Sequence, residues 1–127
     1  MKSENGALKH ILVVEDDIQH RLIVVRILES AGFHVTAAAN FAAAIEVIES
    51  DQRLHLLLTD IKMPEGTPNG VTIARMAHLR RHNLPIVYMS GSYEPATISA
   101  LEPGVPTLAK PFTSRELIKV IEAAIAF

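Results

Sequence analysis

The chain has 127 residues, 49% of them hydrophobic and 20% charged, which matches one globular domain with a single core and excludes a disordered tract. A net charge of -2 gives no general attraction to nucleic acid or anionic lipid, and no apolar run is long enough to span a bilayer. Without cysteine there is neither a disulfide framework nor a thiolate metal site, and the polar start Met1 to Gly6 has no signal-peptide stretch behind it, so a cytoplasmic protein is expected.

In chain order, residues 1–8 read as a polar extension ahead of a core over 9–127. Ile11 to Val14 is a first strand, and it ends on Glu15-Asp16-Asp17. Ile18 to Ala31 follows as a helix, with Asp17 as its cap and Gly32 as its stop. Ile18, Leu22 and Val25 form its expected core stripe, yet Ile23, Val24 and Ile27 are apolar too. Phe33 to Ala38 is a more polar strand that suits an edge. Asn40 then caps a helix from Phe41 to about Glu49. Leu54 to Thr59 is leucine-rich, as a strand buried on both faces should be.

The segment Met63 to Gly70 carries two prolines and two glycines and must be a loop. A third helix spans about Val71 to Arg81, and Leu84 to Met89 is the fourth strand. Pro95 to Leu101 is expected to form a short fourth helix, ended by Pro103-Gly104. Val105 to Ala109 is the fifth strand, and Pro106, which cannot donate to a ladder, points to an edge strand or to the start of the strand. Thr113 to Glu116 has capping-box form. Leu117, Val120, Ile121, Ala124 and Ile125 then repeat on one helical face. Strands and helices alternate throughout, which predicts a parallel α/β architecture of five strands and five helices.

The chemistry sits just after the apolar runs. If those strands are parallel, Glu15-Asp16-Asp17, Thr59-Asp60, Ser90-Gly91 and Lys110-Pro111 meet at one rim, where open α/β sheets keep their sites. Neighbouring carboxylates repel, and oxygen donors without clustered Cys or His suit Mg²⁺ or a similarly hard ion. The plainer alternative is that Asp17 caps the helix while Glu15 and Asp16 are merely solvated. Asp60 stands between a buried strand and a Pro/Gly loop, placed to serve as a phosphoryl-accepting carboxylate or as a turn-initiating Asp. Lys110 alone reads as a snorkelling surface lysine, and Ser90-Gly91 alone as a turn. Four such signals at equivalent strand ends make coincidence a poor account.

The stretches Ile11 to Asp17, Leu57 to Pro64, Pro85 to Gly91 and Leu108 to Phe112 together resemble the response-regulator receiver family, in order and spacing, over nearly the whole chain. That resemblance implies a flavodoxin-like (βα)5 fold with helices on both faces of a five-stranded parallel sheet, in the order 2-1-3-4-5. It implies Asp60 as phosphoacceptor and Mg²⁺, with Mn²⁺ as the alternative, bound by Asp16, Asp60 and the Lys62 backbone carbonyl, with Glu15 acting through water. Ser90, Gly91 and Lys110 would bind the phosphoryl group, and the Lys110–Pro111 bond resembles the family's cis peptide. The donor implied is a phosphohistidine on a histidine kinase or histidine phosphotransfer protein, and the readout is altered binding to a downstream protein.

Thr107 departs from the pattern, standing where many receivers carry Tyr or Phe, and the loop after Pro64 is longer than is typical. The common readout surface of fourth helix, fifth strand and last helix is therefore in question. Ile23 and Ile27 either widen the buried face of the first helix or dock a histidine-kinase or phosphotransfer helix bundle. The six histidines are dispersed without metal spacing and are expected at the surface or its boundary. Arg80-Arg81-His82 reads as positive charge at the end of the third helix. A stand-alone regulator or relay intermediate is the expected setting, since Met1 lies close to the first strand. A receiver fragment of a hybrid histidine kinase or of a larger regulator is the alternative. The competing classes are a phosphorylation-independent binding module and a metal-dependent phosphohydrolase.

Overall fold

A computed structural model describes residues 8–91, 98 and 102–126. Among these residues nine elements are delimited: β1 His10–Val14, α1 Ile18–Ser30, β2 His34–Ala38, α2 Phe41–Glu49, β3 Leu56–Asp60, α3 Gly70–Arg80, β4 Ile86–Ser90, β5 Thr107–Ala109 and α4 Ser114–Ile125. The helix expected over Pro95 to Leu101 lies almost wholly outside the described residues. The strands form one parallel sheet in the order β2-β1-β3-β4-β5, so β2 and β5 are the edges, as their composition predicts.

Alternation along the strands feeds two cores. Ile11, Val13, Leu56, Leu58, Val87 and Met89 pack beneath α1 and α4, against Val24, Leu28, Leu117 and Ile121. Leu12, Val14, Leu57, Ile86 and Tyr88 face the other way, against Ala44, Ile48, Ile73 and Ala77 of α2 and α3. β1, β3 and β4 are thus covered on both faces, which is why they read as unbroken apolar runs.

The caps follow the residue types. Asp17 accepts from the Gln19 and His20 amides, Asn40 from Ala43, and Asn69 from Thr72. Thr113 and Glu116 make the reciprocal capping box that starts α4. Gly32 adopts φ 95° after the Ala31 cap of α1, a left-handed turn in which the Phe33 amide bonds the Leu28 carbonyl.

Three expectations need correction or extension. The core stripe of α1 is Val24 and Leu28; Ile18 and Leu22 are more than half exposed at 59% and 58%, and Val25 is only half-buried. His10 is not a surface residue but is buried. Its Nδ1 faces the Arg53 carbonyl at 3.0 Å, its Nε2 faces the Thr36 hydroxyl at 2.7 Å, and its ring stacks on His34. Arg81 does not serve its own helix end alone. Its guanidinium donates to the Ile48 and Ser50 carbonyls at 3.0 and 2.9 Å and so finishes α2.

Candidate functional site

Register explains how distant residues converge. Val14 pairs with Thr59, so the next residues along, Glu15 and Asp60, stand side by side. Asp60 pairs with Met89 and Ser90 with Ala109, which brings Gly91 and Lys110 to the same end of the sheet. The chain leaves β1 for β2 on one side and returns to β3 on the other. The acids therefore occupy the point where the winding reverses, the usual crevice of such sheets.

The result is a cleft of about 300 Å³ lined by Glu15, Asp16, Asp17, Asp60, Lys62, Gly91 and Lys110, with Met63, Pro64 and Glu65 at its edge. Glu15 and Asp60 are buried, Asp16 is exposed, and each offers a carboxylate oxygen within 4.8 Å of the others. Lys110 Nζ donates to Glu15 Oε1 at 2.7 Å and to Asp60 Oδ2 at 3.2 Å. Its peptide bond to Pro111 is cis. Ser90 is buried beside the cleft and its carbonyl accepts from the Lys110 amide at 2.8 Å.

The electrostatics divide the two buried acids. Burial pushes the Asp60 carboxyl up, the Glu15 carboxylate adds to this, and Lys110 opposes both; the value reaches about 6. Burial acts on Glu15 in the same sense. The hydrogen bonds from Lys110, His20 and the Asp17 amide outweigh it and hold the Glu15 carboxyl below its ordinary value. Burial works against the Lys110 charge, but its bonds to Glu15 and Asp60 prevail and raise it. An all-oxygen donor set in which one acid resists ionisation fits a hard divalent cation, whose charge relieves that repulsion. Among the described residues this is the only such group of potential metal ligands.

Residues 11–122 match the family described as the response regulator receiver domain. The chain is a receiver domain. It is 38% identical over 121 residues to the response regulator receiver protein CpdR of Brucella abortus (strain 2308), a match covering 91% of this chain and 95% of that one. The two-component response regulator ORR3 of Oryza sativa subsp. indica is 30% identical, with 91% and 90% covered. Among solved structures, a response regulator receiver protein from Sinorhizobium medicae WSM419 superposes with a TM-score of 0.84 at 34% identity, covering 94% and 95%. This receiver domain is accordingly a signalling module of two-component systems, whose members interact with histidine kinases or phosphotransfer proteins. No helix among its described residues is long and apolar enough to cross a membrane.

Of the residues singled out for chemistry, Glu15, Asp16, Asp60, Lys62, Gly91 and Lys110 line the cleft, while Ser90 is buried one residue before Gly91 and is not among the cleft's walls. Ile23 and Ile27 line a separate groove of about 1060 Å³ between α1 and α4, with Leu22, Arg115, Ile118 and Lys119 among its walls. Two residues go unsignalled in the sequence. His20 contacts Glu15 from the first turn of α1, and Gly70 lies so close to the Asp60 carbonyl that a Cβ there would sit 2.0 Å from its oxygen.

Proposed function

We propose that this receiver domain accepts a phosphoryl group on Asp60 from a phosphohistidine of a histidine kinase or histidine phosphotransfer protein. An Asp60 carboxylate oxygen attacks phosphorus, the histidine P–N bond breaks as the acyl P–O bond forms, and the imidazole leaves with its electron pair. Asp16, Asp60 and the Lys62 carbonyl would hold Mg²⁺, or Mn²⁺, with Glu15 reaching it through water. When bound, the ion supplies positive charge to the transferring oxygens. Lys110 adds a second positive charge and turns from the two carboxylates toward the phosphoryl group. The Ser90 hydroxyl and the Gly91 amide are assigned to the remaining phosphoryl oxygens. The observation that carries this reading is Lys110 bridging Glu15 and Asp60 at 2.7 and 3.2 Å over the acidic cleft.

On this reading the domain works in the cytoplasm and signals through a downstream protein, with no reaction beyond gaining and losing its own phosphate. Incubation with phosphoramidate and Mg²⁺ tests it. An acid-stable, base-labile phosphate should form, and it should be absent from Asp60→Asn and from chelator-treated protein. Phosphate retained by Asp60→Asn would reject Asp60. No phosphate on the wild-type domain would favour a phosphorylation-independent binding module instead. Ile23 and Ile27 in the α1–α4 groove are assigned to docking the phosphodonor's helices. Lys at both positions should slow transfer from that protein and leave phosphoramidate labelling unchanged; equal rates from the protein donor would remove docking from this groove.

A further inference from the structure

Glu15 is the best-bonded group in the cleft. A carboxylate offers about four acceptor positions, and three are filled. Oε1 takes His20 Nδ1 at 2.5 Å and Lys110 Nζ at 2.7 Å, and Oε2 takes the Asp17 amide at 3.2 Å. One position, on Oε2, remains. Lys110 has a second partner in Asp60 and, on the reading above, leaves Glu15 when a phosphoryl group arrives. Once it leaves, His20 is the only side-chain N–H still bonded to the Glu15 carboxylate among the described contacts.

His20 is itself well anchored. It stands in the first turn of α1, with its amide bonded to the Asp17 side chain at 3.4 Å. Its ring meets Phe112 edge-on, with centroids 5.5 Å apart and planes at 73°. Phe112 belongs to the same turn as Lys110 and Pro111, so the imidazole is wedged between α1 and the loop that delivers the lysine. Its side chain is 24% exposed. A carboxylate only accepts, so the ring hydrogen between them lies on Nδ1.

We infer that His20 is a positioning residue of this site: its Nδ1–H fixes the Glu15 carboxylate in the orientation that cation binding requires, whether or not Lys110 is also bonded to it. This rests on the cation reading of the cleft. The plainer account, in which the ring merely fills the space beside Phe112, requires bulk and no hydrogen-bond donor. Partners that orient the groups around a metal commonly change its affinity by 10- to 100-fold when lost.

Two variants separate these accounts. His20→Leu keeps apolar bulk and removes the donor. His20→Asn places an amide nitrogen where Nδ1 stood and loses most of the ring. Mg²⁺ alone, titrated against metal-free protein and followed by amide chemical shifts, should bind about 10-fold more weakly to His20→Leu. His20→Asn should recover most of the affinity, with the melting temperature of both variants near wild type. Unchanged affinity in His20→Leu, or equal losses in the two variants, overturns the inference while leaving the cation reading intact. A wild-type domain that binds no Mg²⁺ overturns both. The ring ¹⁵N spectrum of metal-free wild-type protein supplies a readout independent of folding in the variants. It should show hydrogen on Nδ1 of His20, and a bare Nδ1 rejects the assignment.

Discussion

In the metal-free domain the Asp60 carboxyl titrates near pH 6 because it is buried and faces Glu15. Holding it ionised at neutral pH therefore costs roughly 2–3 kcal/mol relative to an exposed aspartate. Its folded value lies above the ordinary 3.8, so the penalty is present at neutral pH and disappears as pH falls through 6 toward 3.8. Asp60→Asn should raise the urea midpoint at pH 7.5 without Mg²⁺ and lose that advantage progressively as pH falls from about 6 to about 4. An unchanged midpoint would show that the carboxylate is not strained. His10 and His55 act in the opposite sense. Burial lowers both below 6.5, with His34 the next cause for His10 and Arg53 for His55, and His10 also faces Arg81. Their stabilisation is complete above pH 6.5 and declines as pH falls through the lowered folded values. In the Asp60→Asn background, stability should drop between pH 7.5 and 5.5, and His10→Asn should flatten that slope.

Asp60 and Lys110 are legible in the sequence because each directly follows an apolar run, and a strand end is a fixed place in a parallel sheet. His20 is not, because its bond to Glu15 turns the corner between strand and helix, where neither a period of two nor of 3.6 applies. The buried His10 escapes for a related reason. Its polar partners, Thr36 and Arg53, belong to other strands and loops.

Among the elements, α1 shows why periodicity misleads. Ile18, Leu22, Ile23, Val24, Val25, Ile27 and Leu28 nearly encircle the helix, so no single apolar stripe identifies the inner face. The packing chooses Val24 and Leu28, leaving Ile18, Leu22 and Ile23 outside. β4 and β5 are more informative. Thr107 stands in register with Tyr88, so the aromatic residue of this pair lies on β4, and the Thr107 hydroxyl is buried without a hydrogen-bond partner among the described residues. Tyr88 donates to Glu102 at 3.4 Å, and Arg75 pairs with the same carboxylate at 3.5 Å. The missing aromatic on β5 is thus matched by one across the strand pair.

The start of α3 carries its own expectation. Gly70 donates its amide to the Ile61 carbonyl at 2.8 Å and lies against the Asp60 carbonyl. Helix propensity favours alanine over glycine by at most about 1 kcal/mol. The Cβ would clash with backbone at 2.0 Å, and overpacking of that kind costs about 1–3 kcal/mol. The clash should win: Gly70→Ala is expected to lower the urea midpoint and slow phosphoramidate labelling by displacing Asp60. A stabilised variant with normal labelling would show that α3 can shift freely.

At the scale of the whole molecule, alternating strands and helices make the α/β class legible, and proline and polarity mark the edge strands. The order 2-1-3-4-5 is carried by family resemblance, since nothing in the composition of β1 and β3 says which neighbours they take. Parallel pairing then gives the sheet two unlike ends. One gathers Glu15, Asp16 and Asp60, and the other gathers His10, His34 and His55 near Lys9 and Arg53. The proposed phosphoryl chemistry belongs to the first end, where the C-terminal ends of the strands bring those acids together with Lys110.

Arg81 joins the two helices on one face of that sheet. Because the closing carbonyls of α2 receive their donors from the residue that caps α3, neither helix can fray at that end by itself. Amide exchange in the last turn of α2 should therefore track that of α3, so that the pair opens and recloses as one cooperative lobe.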